Sequence, residues 1–325
     1  MKRFIIKTLV LVAAFVGINL LLFLALPKDK ADYLYEYNHK TSLLDTVCQP
    51  RIIFMGGSSI AFNNDSKTIR DSLKCNIINC GLHAGIGIRI PFEDGLQYIK
   101  KGDIVVLQIE YANYFNGGNG EQETLPAFMS VTGWRIWKSF NANQWKKLIQ
   151  GVPRENMTNL IHLAQKALKG SQKAPSQNQT FVYTKEGFNE FGDEVSHLNY
   201  PNLKYLGSGK KTERAVNRDF IEWLSRTIEQ YEMAGAQVIM MPPACILSSF
   251  NKNYNDHIKE ALAKIKHPYI VEPSSMALPD TCMFNTEYHL NREGVRRNTQ
   301  NIIQALKNNS AIQALEAAEK TDSKI

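Results

Sequence analysis

The chain predicts an α/β domain of three layers with a doubly wound parallel sheet, an N-terminal membrane helix ahead of it and a partly helical insertion within it. Three observations carry that expectation. Short apolar runs at residues 51–55 (RIIFM), 76–79 (NIIN) and 103–109 (DIVVLQI) have the length and composition of buried parallel strands. Segments with helix signals alternate with them. The alternation resumes at 213–271, after a long stretch that breaks it, and together these features call for a sheet covered by helices on both faces.

The first element is a run without charge, residues 8–26, nineteen residues long and sufficient to cross a hydrocarbon layer as a helix. Lys2, Arg3 and Lys7 precede it, while Lys28, Asp29, Lys30 and Asp32 nearly cancel behind it. The positive-inside rule then keeps the N-terminus cytoplasmic and sends the bulk of the chain to the extracytoplasmic side, periplasmic or outer, of a single-pass membrane protein. A cleaved signal peptide competes with this reading, but such peptides have an apolar core of about 7–15 residues and an A-x-A-like site, and none follows Leu26. Residues 1–27 are therefore read as the anchor and 28–47, polar and rich in tyrosine, as a stalk.

The α/β domain is expected over 48–308. Residues 66–73 form its first helix, capped by Asp65 or Ser66, and 91–100 its second, with proline in the first turn and Gly102 past the end. Residues 213–233 carry a stripe of period 3.6 through Ala215, Phe220, Ile221, Leu224 and Ile228, closed by Gly235, and lead into a strand at 237–241. A helix at 255–265, a strand at 269–271 and a helix at 292–307 complete the domain. Residues 114–211 interrupt the pattern as an insertion, helical near 155–169 and Ser/Gln/Lys/Pro-rich at 170–180. Residues 309–325 read as a polar tail.

The net charge of +7 is uneven, because residues 114–220 hold fourteen Lys and Arg against nine Asp and Glu. That surplus is a solvated surface or a face for anionic headgroups or an acidic glycan. No basic run is interleaved with aromatics, so nucleic-acid binding is not indicated. The five cysteines allow at most two intrachain pairs, and Cys75 and Cys80 flanking a strand read equally well as buried thiols. Neither they nor the seven histidines have metal-ligand spacing, and no metal or cofactor is expected.

Gly56-Gly57-Ser58-Ser59 follows the first strand and precedes a helix, where backbone amides can stabilise negative charge beside a serine hydroxyl. The G-x-G-x-x-G and Gly-Lys-Ser/Thr signatures of nucleotide loops are absent. A serine nucleophile needs a base, and Tyr288-His289-Leu290-Asn291-Arg292-Glu293-Gly294 supplies a histidine just before the last helix, with Asn291 as its cap. The two positions meet at one edge of a doubly wound sheet.

These residues resemble the SGNH (GDSL-like) hydrolase family. Gly-Gly-Ser at 56–58 is similar to the family's Gly-Asp-Ser block, His289-Leu290-Asn291 with Gly294 to its His-Leu-Asn-x-x-Gly block, and Asn79-Cys80-Gly81 through Gly85 to its glycine block. The likeness covers residues 50–110 and 235–308. It implies an SGNH/flavodoxin-like fold with Ser58, rather than Ser59, as nucleophile and His289 as base, and oxyanion donors at Gly57 and Gly85.

The chain departs from the family twice. Three residues before the histidine, where the family has Asp, stands Thr286, leaving Asn285 as the orienting residue with Glu287 and Asp280 the nearby carboxylates. The Gly-x-Asn-Asp block is replaced by Glu110-Tyr111-Ala112-Asn113, in which Asn113 is a further oxyanion candidate. Glu110 and His83 are candidate supporting residues, and His197 either lines the cleft or sits on the surface. The resemblance implies a membrane-anchored esterase or O-acyltransferase acting on acyl, chiefly acetyl, esters of an extracytoplasmic polysaccharide. The alternative is a non-catalytic membrane-tethered protein of the same fold that binds a glycan or partners a membrane O-acyltransferase.

Overall fold

The computed structural model describes residues 1–27, 32–169, 182–202, 215–310 and 312–313. Helix α1 (Lys2–Ala25) has a mean hydropathy of 2.6 in its most apolar window and is long and apolar enough to cross a membrane. At about 1.5 Å per residue it reaches roughly 36 Å.

The sheet consists of β1 (Arg51–Gly56), β2 (Asn76–Asn79), β3 (Ile104–Gln108) and β4 (Gln237–Met240), all parallel, in the order β2-β1-β3-β4. Ile52 pairs with Ile77 on one side and Ile104 on the other, which aligns the carboxyl ends of the strands along one edge. Alternate strand residues feed two cores. Ile53, Met55, Val105 and Leu107 pack with Phe220, Leu224 and Ile228 of α9 (Arg218–Met233) and with Ile258 and Leu262 of α10 (Lys252–Lys264). Ile52, Phe54, Ile104 and Val106 pack on the opposite face with Ile69 and Leu73 of α4 (Ser66–Leu73) and Ile302 and Leu306 of α11 (Arg292–Lys307). Burying both faces explains why these strands read as continuous apolar runs.

Several expected boundaries move. Residues 33–46, read as stalk, form a 3₁₀ turn (Tyr33–Tyr35) and helix α2 (Glu36–Thr46) packed into the domain. Their polar residues are tolerated in the interior because they are paired on burial: Tyr37 donates to Asp94 Oδ2 at 2.7 Å, and buried Lys40 donates to the carbonyls of Asn79, at 2.9 Å, and Gly192. Arg51, fully buried, donates to Asp103 at 2.7 and 2.9 Å and to Leu44 O at 2.6 Å, so α2 is tied to the sheet by charge-assisted bonds. The second domain helix is shorter than expected, α5 (Arg89–Gly95) followed by a 3₁₀ turn at Leu96–Tyr98. The strand expected at 269–271 reduces to one parallel bridge, Met240 to Tyr269, and a separate two-stranded sheet pairs β5 (Cys245–Ile246) with β6 (Ala277–Leu278).

The insertion contains α6 (Asn113–Asn116), α7 (Leu125–Thr132) and a helix longer than expected, α8 (Ala142–Lys169). Gly151 lets α8 approach the start of α7, since a Cβ there would lie 2.0 Å from Gln122 O. Phe128 and Leu148 join Phe23 of α1, Tyr33 and Phe62 in a third core. The expected Ser/Gln/Lys/Pro-rich piece at 170–180 falls outside the described residues, as does the tail beyond 313. All five cysteines are free thiols, four of them buried, and burial pushes Cys80 up to about 12.

Candidate active site

β1 ends at Gly56, which lies against the backbone of β3, and Gly57 follows beneath the Glu110 carboxyl group. A Cβ on Gly56 would lie 2.1 Å from Gln108 O, and one on Gly57 2.7 Å from Glu110 Oε1. The chain then enters α3 (Ser58–Asn63), with the Ser58 side chain part-exposed and Ser59 buried. Gly81 of the loop after β2 approaches the same turn, where a Cβ would stand 2.6 Å from Gly57 O.

The histidine arrives from the far end of the chain on a braced loop. Asn63 donates to Tyr288 O at 2.6 Å and accepts from Leu290 N at 2.9 Å, which ties α3 directly to the loop. Thr286 Oγ1 accepts from the backbone N–H of His289 at 3.0 Å and of Tyr288 at 3.2 Å, so Thr286 shapes the loop backbone instead of touching the ring. Asn291 caps α11 through Gly294 N at 3.0 Å.

Ser58 Oγ lies 2.9 Å from His289 Nε2, and His289 Nδ1 lies 2.9 Å from Asn285 Oδ1. Asn285 Nδ2 donates to Tyr183 Oη at 2.8 Å, which leaves its oxygen for the imidazole. In that arrangement Nδ1 carries the ring proton and Nε2 is free to accept from Ser58. Glu287 lines the cleft and Asp280 accepts from Ser248 N at 3.3 Å, so the nearest acceptor to Nδ1 is the neutral amide.

The surroundings of His289 are aromatic. Phe62 stacks on its ring with centroids 4.0 Å apart, and Tyr183 lies 6.5 Å away by the same measure. Burial, reinforced by the neighbouring His197 and His83, lowers its pKa to about 3. The imidazole is neutral at ordinary pH, which leaves Nε2 able to accept a proton.

Two of the three expected oxyanion donors, Gly85 and Asn113, are engaged elsewhere. Gly85 N donates to His83 Nδ1 at 2.9 Å, and Asn113 Nδ2 donates to Glu110 O at 3.3 Å, away from the serine. Asn113 lies in α6 because Glu110 through Ala112 turn directly into that helix. With Nδ1 accepting, His83 carries its proton on Nε2, and burial lowers its pKa. Glu110 is in direct contact with the serines: Oε1 accepts from Ser59 N at 2.8 Å and stands 3.3 Å from Ser58 Oγ. Burial raises its pKa, against the pull of the hydrogen bonds from Ser59 and Ser58.

Tyr183, Phe62, Tyr33 and Asn63 were not singled out from the sequence, having no local signal there. His197 is neither in the cleft nor on the surface. It is buried between Glu194, in short contact with Nδ1, and Leu290 O, 2.9 Å from Nε2, and so fixes the residue after His289.

Tyr33, Ser58, His83, Glu110, Tyr183 and His289 line a cleft of ≈ 530 Å³. Tyr33 is eight residues from Ala25, so chain length alone holds this wall within about 28 Å of the end of α1. No family model matches the chain, and no curated protein matches it.

Proposed function

We propose that the chain is a membrane-anchored serine esterase or O-acyltransferase of the SGNH type, acting on acyl esters, acetyl foremost, of an extracytoplasmic polysaccharide. The observation that carries this reading is the relay Asn285–His289–Ser58, with both links at 2.9 Å. The parallel order of the sheet and the position of Ser58 at the carboxyl end of β1 agree with it. The cleft volume suits a sugar-sized group, within the usual range of about 300–1,000 Å³ for small-molecule sites.

In the reaction Ser58 Oγ bonds to the ester carbonyl carbon while its proton passes to His289 Nε2, and the carbonyl electron pair moves onto oxygen. Collapse expels the alcohol oxygen, which takes the proton from Nε2 and leaves an acyl-serine. Water completes hydrolysis by the reverse route, and an acceptor hydroxyl completes transfer. Asn285 holds the tautomer. Glu110 supplies a hydrogen-bond donor beside Ser58 when its carboxyl is neutral, the form that burial favours.

The test is labelling of the full-length protein in detergent with a fluorophosphonate, alongside release of acetate from an acetylated glycan. Wild type reacts at Ser58, and Ser58→Ala and His289→Ala do not. Equal acetate release by wild type and Ser58→Ala overturns the reading.

A second reading rests on Glu110 holding Ser59 N–H and Asn285 standing where an acid would be. A non-catalytic protein that binds a glycan, or a membrane O-acyltransferase, through this cleft leaves Ser58 inert to the probe while still retaining its partner.

A further inference from the structure

Helix α8 leaves the domain at the point where it meets α1. Asn156, buried, donates to the carbonyl of Asn19 at 2.8 Å and to its side-chain oxygen at 3.1 Å. Asn19 is the single amide side chain in the uncharged run of α1, and amides pairing between helices are a recurrent means of joining them inside a bilayer. Beyond Asn159, every α8 residue from Leu160 through Leu168 is exposed.

What is exposed there is largely apolar. Met157, Leu160, Ile161, Leu163 and Leu168 show 59%, 36%, 48%, 43% and 87% of their surface. Residues 156–165 contain no formal charge, and Lys166, the one charged residue from there to 168, has a stem long enough to carry its ammonium to the headgroups. Next to the start of α8 the half-exposed Trp134 stacks on Trp145, ring centroids 6.4 Å apart, an amphipathic pair of the kind that gathers at membrane surfaces. A surface of this length facing water is uncommon for a monomeric domain.

Position identifies the occupant. Asn19 stands six residues inside the C-terminal end of α1, about 9 Å along the helix axis. An interfacial helix lies about 5–10 Å into the boundary between headgroups and acyl chains, so the contact sets α8 at that depth when α1 spans a bilayer. We propose that residues 156–168 of α8 lie in lipid, within the leaflet crossed by the C-terminal end of α1, and give the domain a second hold on the membrane. The polar partners fit the same level: Arg154 pairs with Glu123 at 3.0 Å and Lys147 donates to Gly120 O at 2.6 Å, both on the domain side of Asn156. This rests on the membrane placement of α1 and is independent of the chemistry at Ser58.

The experiment uses the full-length chain in nanodiscs of phosphatidylcholine and phosphatidylglycerol. In a Cys48→Ser background, which removes the one exposed thiol, nitroxides are placed by Met157→Cys and Ile161→Cys, with Glu222→Cys on α9 as aqueous control. Oxygen, which partitions into lipid, relaxes the labels at 157 and 161 several-fold more than a nickel chelate does, and the order reverses at 222. As a second measurement on the unmodified chain, a phosphatidylcholine with a diazirine in its acyl chain is photolysed, and the tryptic peptide 155–166 carries the adduct. Nickel access at 157 and 161, or adducts on α1 peptides alone, overturns the proposal. Shielding of both positions from oxygen and nickel alike also overturns it, in favour of a protein occupant, a second copy or a membrane-embedded partner.

Discussion

The phenyl ring of Phe62 lies flat against the imidazole of His289, 4.0 Å between centroids and 4° from parallel. Phe62 is itself 1% exposed and sits four residues after Ser58 in α3, so the element that carries the serine also clamps the histidine. The two rings therefore keep their spacing from Ser58 as one unit. Replacing Phe62 by Leu keeps an apolar filling and removes the stacked face. An aromatic pair is worth about 1 kcal/mol beyond its burial, which corresponds to about a five-fold slower fluorophosphonate reaction at Ser58. Unchanged labelling kinetics in a folded variant would show that the ring is held by Asn285 alone.

The pKa of His289 lowered to about 3 has a defined consequence for stability. An unfolded histidine takes a proton near pH 6.5, whereas this one waits until about pH 3, so the unfolded state binds more protons between those values. Stability falls as pH falls through that window, by about 2 kcal/mol between pH 7.5 and pH 5 from this group. Denaturant titrations of wild type and His289→Gln in detergent check it: the variant loses about that much less on acidification.

Glu110 titrates in the opposite sense. Burial raises its folded pKa, so the folded state holds a proton where the unfolded carboxyl has released one, and stability is lost as pH rises through the folded value. Glu110→Gln keeps an oxygen for Ser59 N and removes the ionisation. The variant is more stable than wild type at pH 8, and the difference closes at pH 4. A variant less stable at pH 8 would mean that the ionised carboxylate is held there by the Ser59 N–H.

Asn285→Asp places a negative charge on the atom 2.9 Å from His289 Nδ1. A carboxylate stabilises the imidazolium formed as Ser58 loses its proton, which an amide does not do. Fluorophosphonate labelling is expected to accelerate by about ten-fold or more, and the His289 ring resonances to titrate at higher pH than in wild type. A rate at or below wild type would show that the relay depends on the hydrogen bond that the Asn285 amide donates to Tyr183.

The parallel α/β character was legible because β1 and β3 are covered on both faces and leave uninterrupted apolar runs in the sequence. Chain order put Ser58 and His289 at one sheet edge, whereas their separation of 2.9 Å is set by a loop braced by Asn63, which no local pattern encodes. Helix α2 was hidden by its composition, because its buried Lys40 and Tyr37 are satisfied by partners distant in sequence, and its buried Glu36 by His39 one turn on. Tyr183 comes from the interrupting stretch and meets Asn285 across 102 positions, a contact that local pattern does not encode. Glu110 reaches Ser58 because Gly57 leaves the space between neighbouring strands β1 and β3 open, and the consequence of that glycine appears only once the strand order is known.

The short connection from α1 to Tyr33 changes the dimension in which this cleft meets anything. With α1 in a bilayer, the cleft samples a thin sheet of space parallel to the membrane, and encounter frequency follows molecules per unit area of surface. Dilution of the surrounding medium then has little effect on a substrate that is itself surface-bound. The same substrate, once shed into bulk solution, meets the cleft at a rate set by its volume concentration instead.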